Sequence, residues 1–180
     1  MKGAVLFFWE IIKILILAAL VVIPIRIFLF QPFVVKGASM VPSFENNDYL
    51  IIDEITYRFR DPQRGEVIVF RYPFNPSARF IKRVIGLPGE KVEIKEGKVF
   101  INGEVLDESS YLKNSFTPGN LICYLKEDEY FVIGDNRRES FDSREWGPLK
   151  RKYIIGRAIL RAFPLSEISL IESPQYNLNF

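Results

Sequence analysis

The stretch RFIKRVIGLPGEKVEIKEGKVFINGEVL, residues 79–106, indicates the fold class of this 180-residue chain. Four short apolar runs alternate in it with turn signals, which are Pro88-Gly89, Glu96-Gly97 and Asn102-Gly103. Asn-Gly between two apolar runs is a strong hairpin signal, because both residues accept the positive φ that a tight two-residue turn needs. The stretch therefore predicts consecutive antiparallel strands rather than helices.

The same alternation continues on both sides of this stretch. The candidate strands are Phe33–Val35, Asp48–Thr56, Glu66–Tyr72, Arg79–Leu87, Lys91–Lys95, Val99–Ile101, Val105–Leu106, Glu129–Ile133 and Gly156–Ala162. Residues 107–127 are irregular and predict a loop-rich excursion, and we find no convincing amphipathic helix or internal repeat after residue 30. The pattern predicts a mainly β domain.

The N-terminal segment, residues 4–30, is strongly apolar, and Ile14–Ile25 carry no charge. That core is shorter than the roughly 20 residues needed to cross a bilayer, so crossing requires flanking charged side chains to reach the interface. We favour a retained transmembrane anchor. A cleavable secretory signal, or an amphipathic helix on a membrane or in a soluble core, are the alternatives. The charges on its two sides leave the orientation open.

The overall composition excludes several classes of function. Lys and Arg exceed Asp and Glu by only two, 24 against 22, which argues against bulk electrostatic binding of nucleic acid. The chain has no histidine, so a Ser-His-Asp or Cys-His catalytic pair is impossible within it. The single Cys123 cannot form a thiolate zinc cage, and we expect neither a metal nor a cofactor. An enzyme of this composition needs a carboxylate or a lysine as its base.

Three islands break the rhythm of strands and turns. They are Gly37–Pro42, Arg79–Glu90 and Gly134–Arg144. Each has an ordinary interpretation when taken alone: a turn, a solvated strand, and a polar loop held by an ion pair. On the second island, however, Lys82 lies between apolar neighbours on one face of the predicted strand, where desolvation would lower its pKa.

Taken together, the three islands resemble a family. The order Ser-Met-x-Pro, then Lys-Arg-Val-Ile-Gly-x-Pro-Gly-Glu, then Gly-Asp-Asn-Arg-x-x-Ser-x-Asp-Ser-Arg is similar to that of bacterial type I signal peptidases. Here the motifs are Ser39–Pro42, Lys82–Glu90 and Gly134–Arg144, followed by Trp146-Gly147. The resemblance extends from the apolar N-terminus to about Pro164, and the family uses a Ser-Lys dyad, which requires no histidine.

The resemblance implies a role for each matched residue. Ser39 would be the nucleophile and Lys82 the general base. Ser140 matches the serine that orients the lysine through a hydrogen bond, and Asp142 and Arg144 match the pair that supports the site from behind.

Four further residues are expected to shape the substrate site. Met40, Phe80 and Ile81 are candidate walls of a shallow pocket that admits only small side chains. Some members of the family have a serine at the position of Gly37, and its hydroxyl helps to form the oxyanion hole. With glycine there, the hole would depend on backbone N–H groups, chiefly that of Ser39.

The resemblance also implies an architecture and a location. Residues 1–31 would form a cytoplasmic tip and a single transmembrane helix. Residues 32–164 would form a catalytic core of coiled antiparallel β-sheet, with a smaller β-rich insertion at 91–127, and residues 165–180 a loosely attached tail. The partners would be the lipid bilayer and the signal peptides of exported preproteins, often cut after Ala-x-Ala. The N-terminus would lie in the cytoplasm, and the catalytic domain outside the bacterial inner or plasma membrane.

Two classes of alternative stay open at this point. A related Ser-Lys protease, such as a self-cleaving repressor or an organelle processing peptidase, is the nearer one, although the repressors carry a DNA-binding domain for which this chain has no room. The other is a catalytically inactive, membrane-anchored β module that binds exported proteins. The simultaneous presence of Ser39, Lys82 and Ser140 argues against the second.

Overall fold

A computed structural model of the chain describes residues 2–28, 30–113 and 116–178, and the structural statements below concern these residues. The first element is a helix, α1 (Lys2–Phe28), in which Glu10 and Lys13 form an ion pair of 2.8 Å one turn apart. Among the residues described, no helix combines the length and the hydropathy of a membrane span.

Twelve strands follow α1 in the described part of the chain. They are β1 (Phe30–Val34), β2 (Tyr49–Asp53), β3 (Val67–Tyr72), β4 (Asn75–Gly86), β5 (Lys91–Lys95), β6 (Lys98–Ile101), β7 (Glu104–Val105), β8 (Leu121–Tyr124), β9 (Glu129–Ile133), β10 (Leu149–Lys150), β11 (Ile154–Phe163) and β12 (Ser169–Leu170). A four-residue helix, α2 (Ser143–Trp146), lies between β9 and β10.

The strands form two antiparallel sheets. The larger sheet has the order β1-β2-β11-β3-β4-β9-β10, with β12 added beside β11. The smaller sheet has the order β7-β6-β5-β8, and its strands are contributed by one continuous segment between β4 and β9. The prediction of a mainly β, antiparallel domain is therefore confirmed. The strands of the small sheet lie within residues 91–124.

The register of the larger sheet leaves one long edge open near its centre. In the β3–β4 pair, Phe70 lies opposite Phe80 and Ile68 opposite Lys82. The other side of β4 pairs with β9 only from Arg83 onward. Within the described residues, the first two thirds of β4 thus have no strand on that side, and β1 pairs on one side only, with β2.

Three buried apolar clusters stabilise the two sheets. The first is formed by β2, β3, β4, β11 and the segment after β1, and comprises Val35, Met40, Phe44, Leu50, Ile52, Val67, Val69, Ile81 and Ala158. The second covers one face of the small sheet and comprises Ile85, Val92, Ile94, Val99, Ile101, Leu106, Leu125, Phe131 and Ile133. The third covers the other face of the central strands and comprises Tyr57, Ile68, Phe70, Val84, Tyr130, Val132, Leu149 and Ile154. Alternate residues of β4 point into the first and third clusters, as a period of two requires.

The C-terminal segment differs from its prediction as a loosely attached tail. Ile171 packs against the first cluster, and Tyr176 and Leu178 pack against the second. The sequence pattern of this segment is weak because it has almost no repeating strand or helix structure, so periodicity could not indicate that it is packed.

Candidate active site

Ser39 lies in a tight turn that follows β1. Gly37 introduces the turn with a φ of +85°, a conformation that favours glycine, and its N–H donates to Asn46 Oδ1 at 3.0 Å. The turn continues with a bond from the Val41 N–H to the Ala38 carbonyl at 3.1 Å. These local bonds place the Ser39 side chain at the surface of the larger sheet.

Lys82 reaches Ser39 from the middle of β4. Its Nζ lies 2.7 Å from Ser39 Oγ and 2.8 Å from the carbonyl oxygen of Ile81. The side chain shares a sheet face with Phe80, and Nζ is 5.7 Å from the centroid of the Phe80 ring. Only 4% of Lys82 is exposed, so its amine is almost entirely removed from water.

Burial changes the acidity of this amine. Desolvation lowers the pKa of Lys82 from 10.5 to about 8, because the charged form loses its hydration. The charges of Asp142 and Asp135 raise the pKa and oppose the shift, whereas Arg144 lowers it further. With this pKa, roughly a tenth of the amines are neutral at pH 7 and could accept a proton.

The polar loop Gly134–Arg144 forms hydrogen bonds to the backbone around Ser39. The Asn136 N–H donates to the Ser39 carbonyl oxygen at 3.0 Å, and Asn136 Nδ2 donates to the Ala38 carbonyl oxygen at 3.1 Å. Asn136 was not among the predicted site residues. Its position directly after Gly134-Asp135 in a motif already recognised was the signal that could have identified it.

Asp142 and Arg144 lie together at the base of this loop. Asp142 is fully buried and accepts from Arg144 Nε and Nη2, each at 2.8 Å, and from the Gly134 N–H at 3.0 Å. It also caps α2 by accepting from the Arg144 N–H. Arg144 Nη1 donates to the Arg137 carbonyl at 2.7 Å. The pair thus links the two ends of the loop that contacts Ser39.

Ser140 occupies a different position from the one that the family resemblance implies. Its Oγ is buried and has no hydrogen-bond partner among the described residues, so the expected bond to Lys82 is not formed. The Lys82 amine is instead directed to Ser39 and to its own strand. Ser140 Oγ lies against Gly134, where a side chain would collide both with it and with the Ser39 carbonyl.

A cleft of about 400 Å³ opens in front of Ser39 and Lys82. It lies between the open edges of β1 and β4, and its lining comprises Phe33, Val34, Lys36, Gly37, Ala38, Ser39, Arg79, Phe80, Ile81, Lys82, Glu139 and Phe141. Phe80 and Ile81 thus lie in the cleft where the sequence analysis expected them. Phe141, which forms an edge contact with Phe80, was not predicted.

Met40 is a correction to the predicted substrate site. Its side chain is 0% exposed and belongs to the first core cluster with Phe44 and Leu50, and it does not line the cleft. The turn after Ser39 directs Met40 inward, so this residue fastens the turn to the core instead of walling the pocket.

Ser39 lines the cleft and has a backbone N–H that is available as a hydrogen-bond donor. The Gly37 N–H is already bonded to Asn46, whereas the Ser39 N–H has no acceptor among the described residues. A donor in this position suits an oxygen that gains negative charge during acyl transfer. Among the described residues, no three acidic or Cys side chains gather as a metal site would require.

Comparison with known proteins gives consistent matches over most of the chain. A family model described as "Signal peptidase, peptidase S26" matches residues 8–163, which include all three motifs. The chain is 39% identical over 175 residues to "Signal peptidase I" of Leptolyngbya laminosa, and the match covers 91% of this chain and 83% of that one. It is 38% identical over 167 residues to "Probable signal peptidase I-2" of Synechocystis sp., with 90% and 76% covered.

Among solved structures, the crystal structure of a signal peptidase I from Enterococcus faecalis V583 is similar. It is 35% identical in sequence and has a TM-score of 0.47, and the match covers 54% of this chain and 97% of that one.

Proposed function

Because the chain belongs to the signal peptidase family, peptidase S26, and is a serine endopeptidase of its type I class, we propose that Ser39 is the nucleophile and Lys82 the general base. The observation that carries this proposal is the 2.7 Å separation of Ser39 Oγ from a buried lysine amine. An activated nucleophile needs a base within hydrogen-bond reach, and in a chain without histidine this lysine meets that requirement.

The proposed reaction proceeds through an acyl-enzyme. Ser39 Oγ attacks the carbonyl carbon of the scissile peptide, and its proton passes to neutral Lys82. The carbon–nitrogen bond then breaks, and the departing amine takes the proton from the Lys82 ammonium. Water next enters, gives a proton to Lys82 and attacks the ester, which releases the signal peptide as a free acid and returns the proton to Ser39.

The backbone N–H of Ser39 is the proposed donor to the tetrahedral intermediate. Removing one donor of this kind from a serine protease typically lowers the rate by about 10²- to 10³-fold. The bonds from Asn136 to the carbonyls of Ala38 and Ser39 support this role, because they hold in place the peptide unit that carries the donor and the peptide unit that follows it.

We propose that substrates bind as an extended strand between β1 and β4. Both strands present an open edge to the cleft, and such edges bind peptides through main-chain hydrogen bonds, while shallow pockets select alternate side chains. The buried Ile81 and the aromatic rings of Phe80 and Phe141 leave little depth. This supports a preference for small residues at the cut site, as in the Ala-x-Ala signal peptides of exported preproteins.

The helix α1 is the proposed membrane anchor of the protein. Its central segment exposes large apolar side chains to its surroundings, which are Phe7, Phe8, Trp9, Ile14, Leu15, Ile16, Leu17 and Leu20. A helix that exposes such a surface suits a lipid environment. We place the N-terminus on the cytoplasmic side and the catalytic domain on the outer side of a bacterial membrane. Protease protection of an N-terminal tag in inside-out and right-side-out vesicles tests this orientation.

The decisive experiment for the dyad is cleavage of a preprotein with an Ala-x-Ala site by the full chain in detergent. We expect wild type to cut after that motif, and Ser39→Ala and Lys82→Arg to be inactive, since a guanidinium cannot take the serine proton. The Lys82→Arg variant keeps a positive charge, so it separates loss of the base from loss of charge. Appreciable cleavage by either variant would exclude the dyad. If wild type is inactive, the result would favour a catalytically inactive module that binds exported proteins. The similarity to signal peptidases does not favour that alternative.

A further inference from the structure

Residues 171–178, which we call the C-terminal strap, join two of the apolar clusters. The Ile171 N–H donates to the Ile159 carbonyl at 2.9 Å, and its side chain packs on the first cluster. Tyr176 and Leu178 pack on the second cluster, beside the small sheet. The strap therefore connects the first cluster, which contains Ile81 of β4, with the second, which contains Ile85 of the same strand. None of its residues lines the cleft.

A first chain of contacts leads from the strap through Gly65 to the polar loop Gly134–Arg144. A Cβ at Gly65 would lie 2.9 Å from atoms of both Pro174 and Tyr176, so the strap rests directly on this glycine. The Gly65 carbonyl accepts from Arg83 Nη1 at 2.8 Å, and Arg83 donates to both oxygens of Asp135, at 2.9 and 2.6 Å. All three polar groups are buried, which makes the chain of contacts stiff.

A second chain of contacts reaches the same loop through hydroxyl groups. Tyr176 Oη donates to Tyr111 Oη at 3.3 Å, and Tyr111 Oη donates to Glu108 at 2.6 Å. Glu108 accepts two bonds from buried Arg137, at 2.8 and 2.5 Å, and Arg137 Nε donates to the Gly134 carbonyl at 3.1 Å. Burial raises the pKa of Tyr176 to about 12, so its hydroxyl stays protonated near neutral pH.

The two chains of contacts converge on Gly134–Asn136, the segment whose Asn136 N–H holds the Ser39 carbonyl. They are also joined to each other, because the Tyr111 ring centroid lies 4.1 Å from Arg83 Cζ. We propose that Tyr176 is a positioning residue for Ser39: its ring supports Gly65 and Arg83, and its hydroxyl supports Tyr111. This inference rests on the proposed role of Ser39 as nucleophile.

The test compares Tyr176→Phe, Tyr176→Ala and the control Gln175→Ala in the full chain in detergent. Gln175 is the exposed neighbour of Tyr176 in the strap, and the phenylalanine variant removes the hydroxyl but keeps the ring. For an Ala-x-Ala peptide, we expect kcat to fall about 30-fold in Tyr176→Ala and about threefold in Tyr176→Phe, because small displacements of a nucleophile cost rate steeply. We expect KM and the pH of the rising limb to be unchanged, since the cleft and the burial of Lys82 are untouched. Gln175→Ala should match wild type.

Each alternative result overturns the inference. A change in KM with kcat unchanged would place the strap in substrate binding. Activity is measured well below the unfolding temperature of each variant. If kcat then falls only in proportion to the fraction of folded protein, the role of Tyr176 is purely structural. If Tyr176→Ala does not fold, a folded Tyr176→Phe with wild-type kcat excludes the hydroxyl route, and the proposal as stated is then wrong. None of these outcomes concerns the dyad, which stands or fails on Ser39→Ala and Lys82→Arg.

Discussion

Lys82 Nζ lies 2.7 Å from Ser39 Oγ, although 43 residues separate the two in sequence. One is carried by a glycine-initiated turn and the other by a central strand, and Lys82 is among the few buried charged residues of the sheet. Burying the charge of Lys82 costs free energy of folding. The position of Lys82 beside Ser39 therefore affects both the reactivity and the stability of the protein.

The rate of cleavage should depend on pH through the Lys82 amine. We expect kcat/KM for an Ala-x-Ala peptide without ionisable side chains to rise about tenfold per pH unit below pH 8 and to level off above it, because only the neutral amine accepts a proton and its pKa is about 8. Initial rates between pH 6 and 10 measure this limb. A rate independent of pH, or a limb near 10.5, would contradict the assignment.

A matched pair of variants isolates burial as the cause of this pKa. Phe80→Ala removes a ring 5.7 Å from the amine and admits water, so the rising limb should move to higher pH. Phe74→Ala removes an equally large ring from the neighbouring β3–β4 turn, where it is 73% exposed, and should leave the limb in place. Equal shifts in both variants would exclude local desolvation.

The same shift makes Lys82 a cost to folding at neutral pH. Its pKa is lower in the folded chain, about 8, than the 10.5 expected after unfolding, so between these values the unfolded state binds more protons and stability rises with pH. The cost is fully present below pH 8 and amounts to about 3 kcal/mol. We expect Lys82→Met to raise the free energy of unfolding by up to about that amount at pH 7, with a smaller gain at pH 10.

Denaturant titrations at both pH values measure this difference, with Lys98→Met as the control. Lys98 is an exposed strand lysine, so its replacement should change stability little at either pH. A Lys82→Met variant that is less stable than wild type at pH 7 would mean that the lost contacts outweigh desolvation.

Much of the fold follows from local sequence. Asn102 and Glu96 have positive φ values of 50° and 52°, and each begins a Gly-containing turn between strands whose predicted and observed bounds agree closely. In contrast, β8, β10 and β12 were not predicted. They have two to four residues each, and short strands are stabilised by their partners rather than by their own pattern.

The site could be predicted at the level of motifs but not of side-chain direction. The motifs indicated which loops meet, and the period of a strand indicated that Lys82 shares a face with Phe80. Met40 and Ser140 show the limit. Met40 points into the core, and Ser140 Oγ points to Gly134 rather than to Lys82, because the dihedral angles of each turn decide these directions.

Met40 and Ile81 both belong to the first cluster, but only Ile81 also lines the cleft, so the two residues predict different effects on specificity. Met40→Ala should lower the free energy of unfolding by about 2–4 kcal/mol, because it leaves a cavity in the first cluster, yet should not change the residues accepted at the cut site. Ile81→Ala deepens the cleft and should allow larger side chains there. Cleavage of a peptide series with Ala, Val or Leu at the cut site measures the specificity of both variants, and denaturant titration measures the stability of Met40→Ala. Wider acceptance in Met40→Ala would contradict the observed orientation of its side chain.

Substitution of Gly134 should lower activity by more than the accompanying loss of stability explains. An alanine Cβ there would collide with Ser140 Oγ and with the Ser39 carbonyl, so the turn that carries Ser39 must move. We expect Gly134→Ala to lower kcat by at least about 100-fold, and the free energy of unfolding by about 1–3 kcal/mol. The matched control is Gly156→Ala, whose Cβ would lie 2.5 Å from the Asp53 carbonyl and which does not line the cleft. This control should lose similar stability and keep its kcat per folded molecule. If both variants lose activity only in proportion to their unfolded fraction, the contact between Gly134 and Ser39 has no part in positioning Ser39 for cleavage.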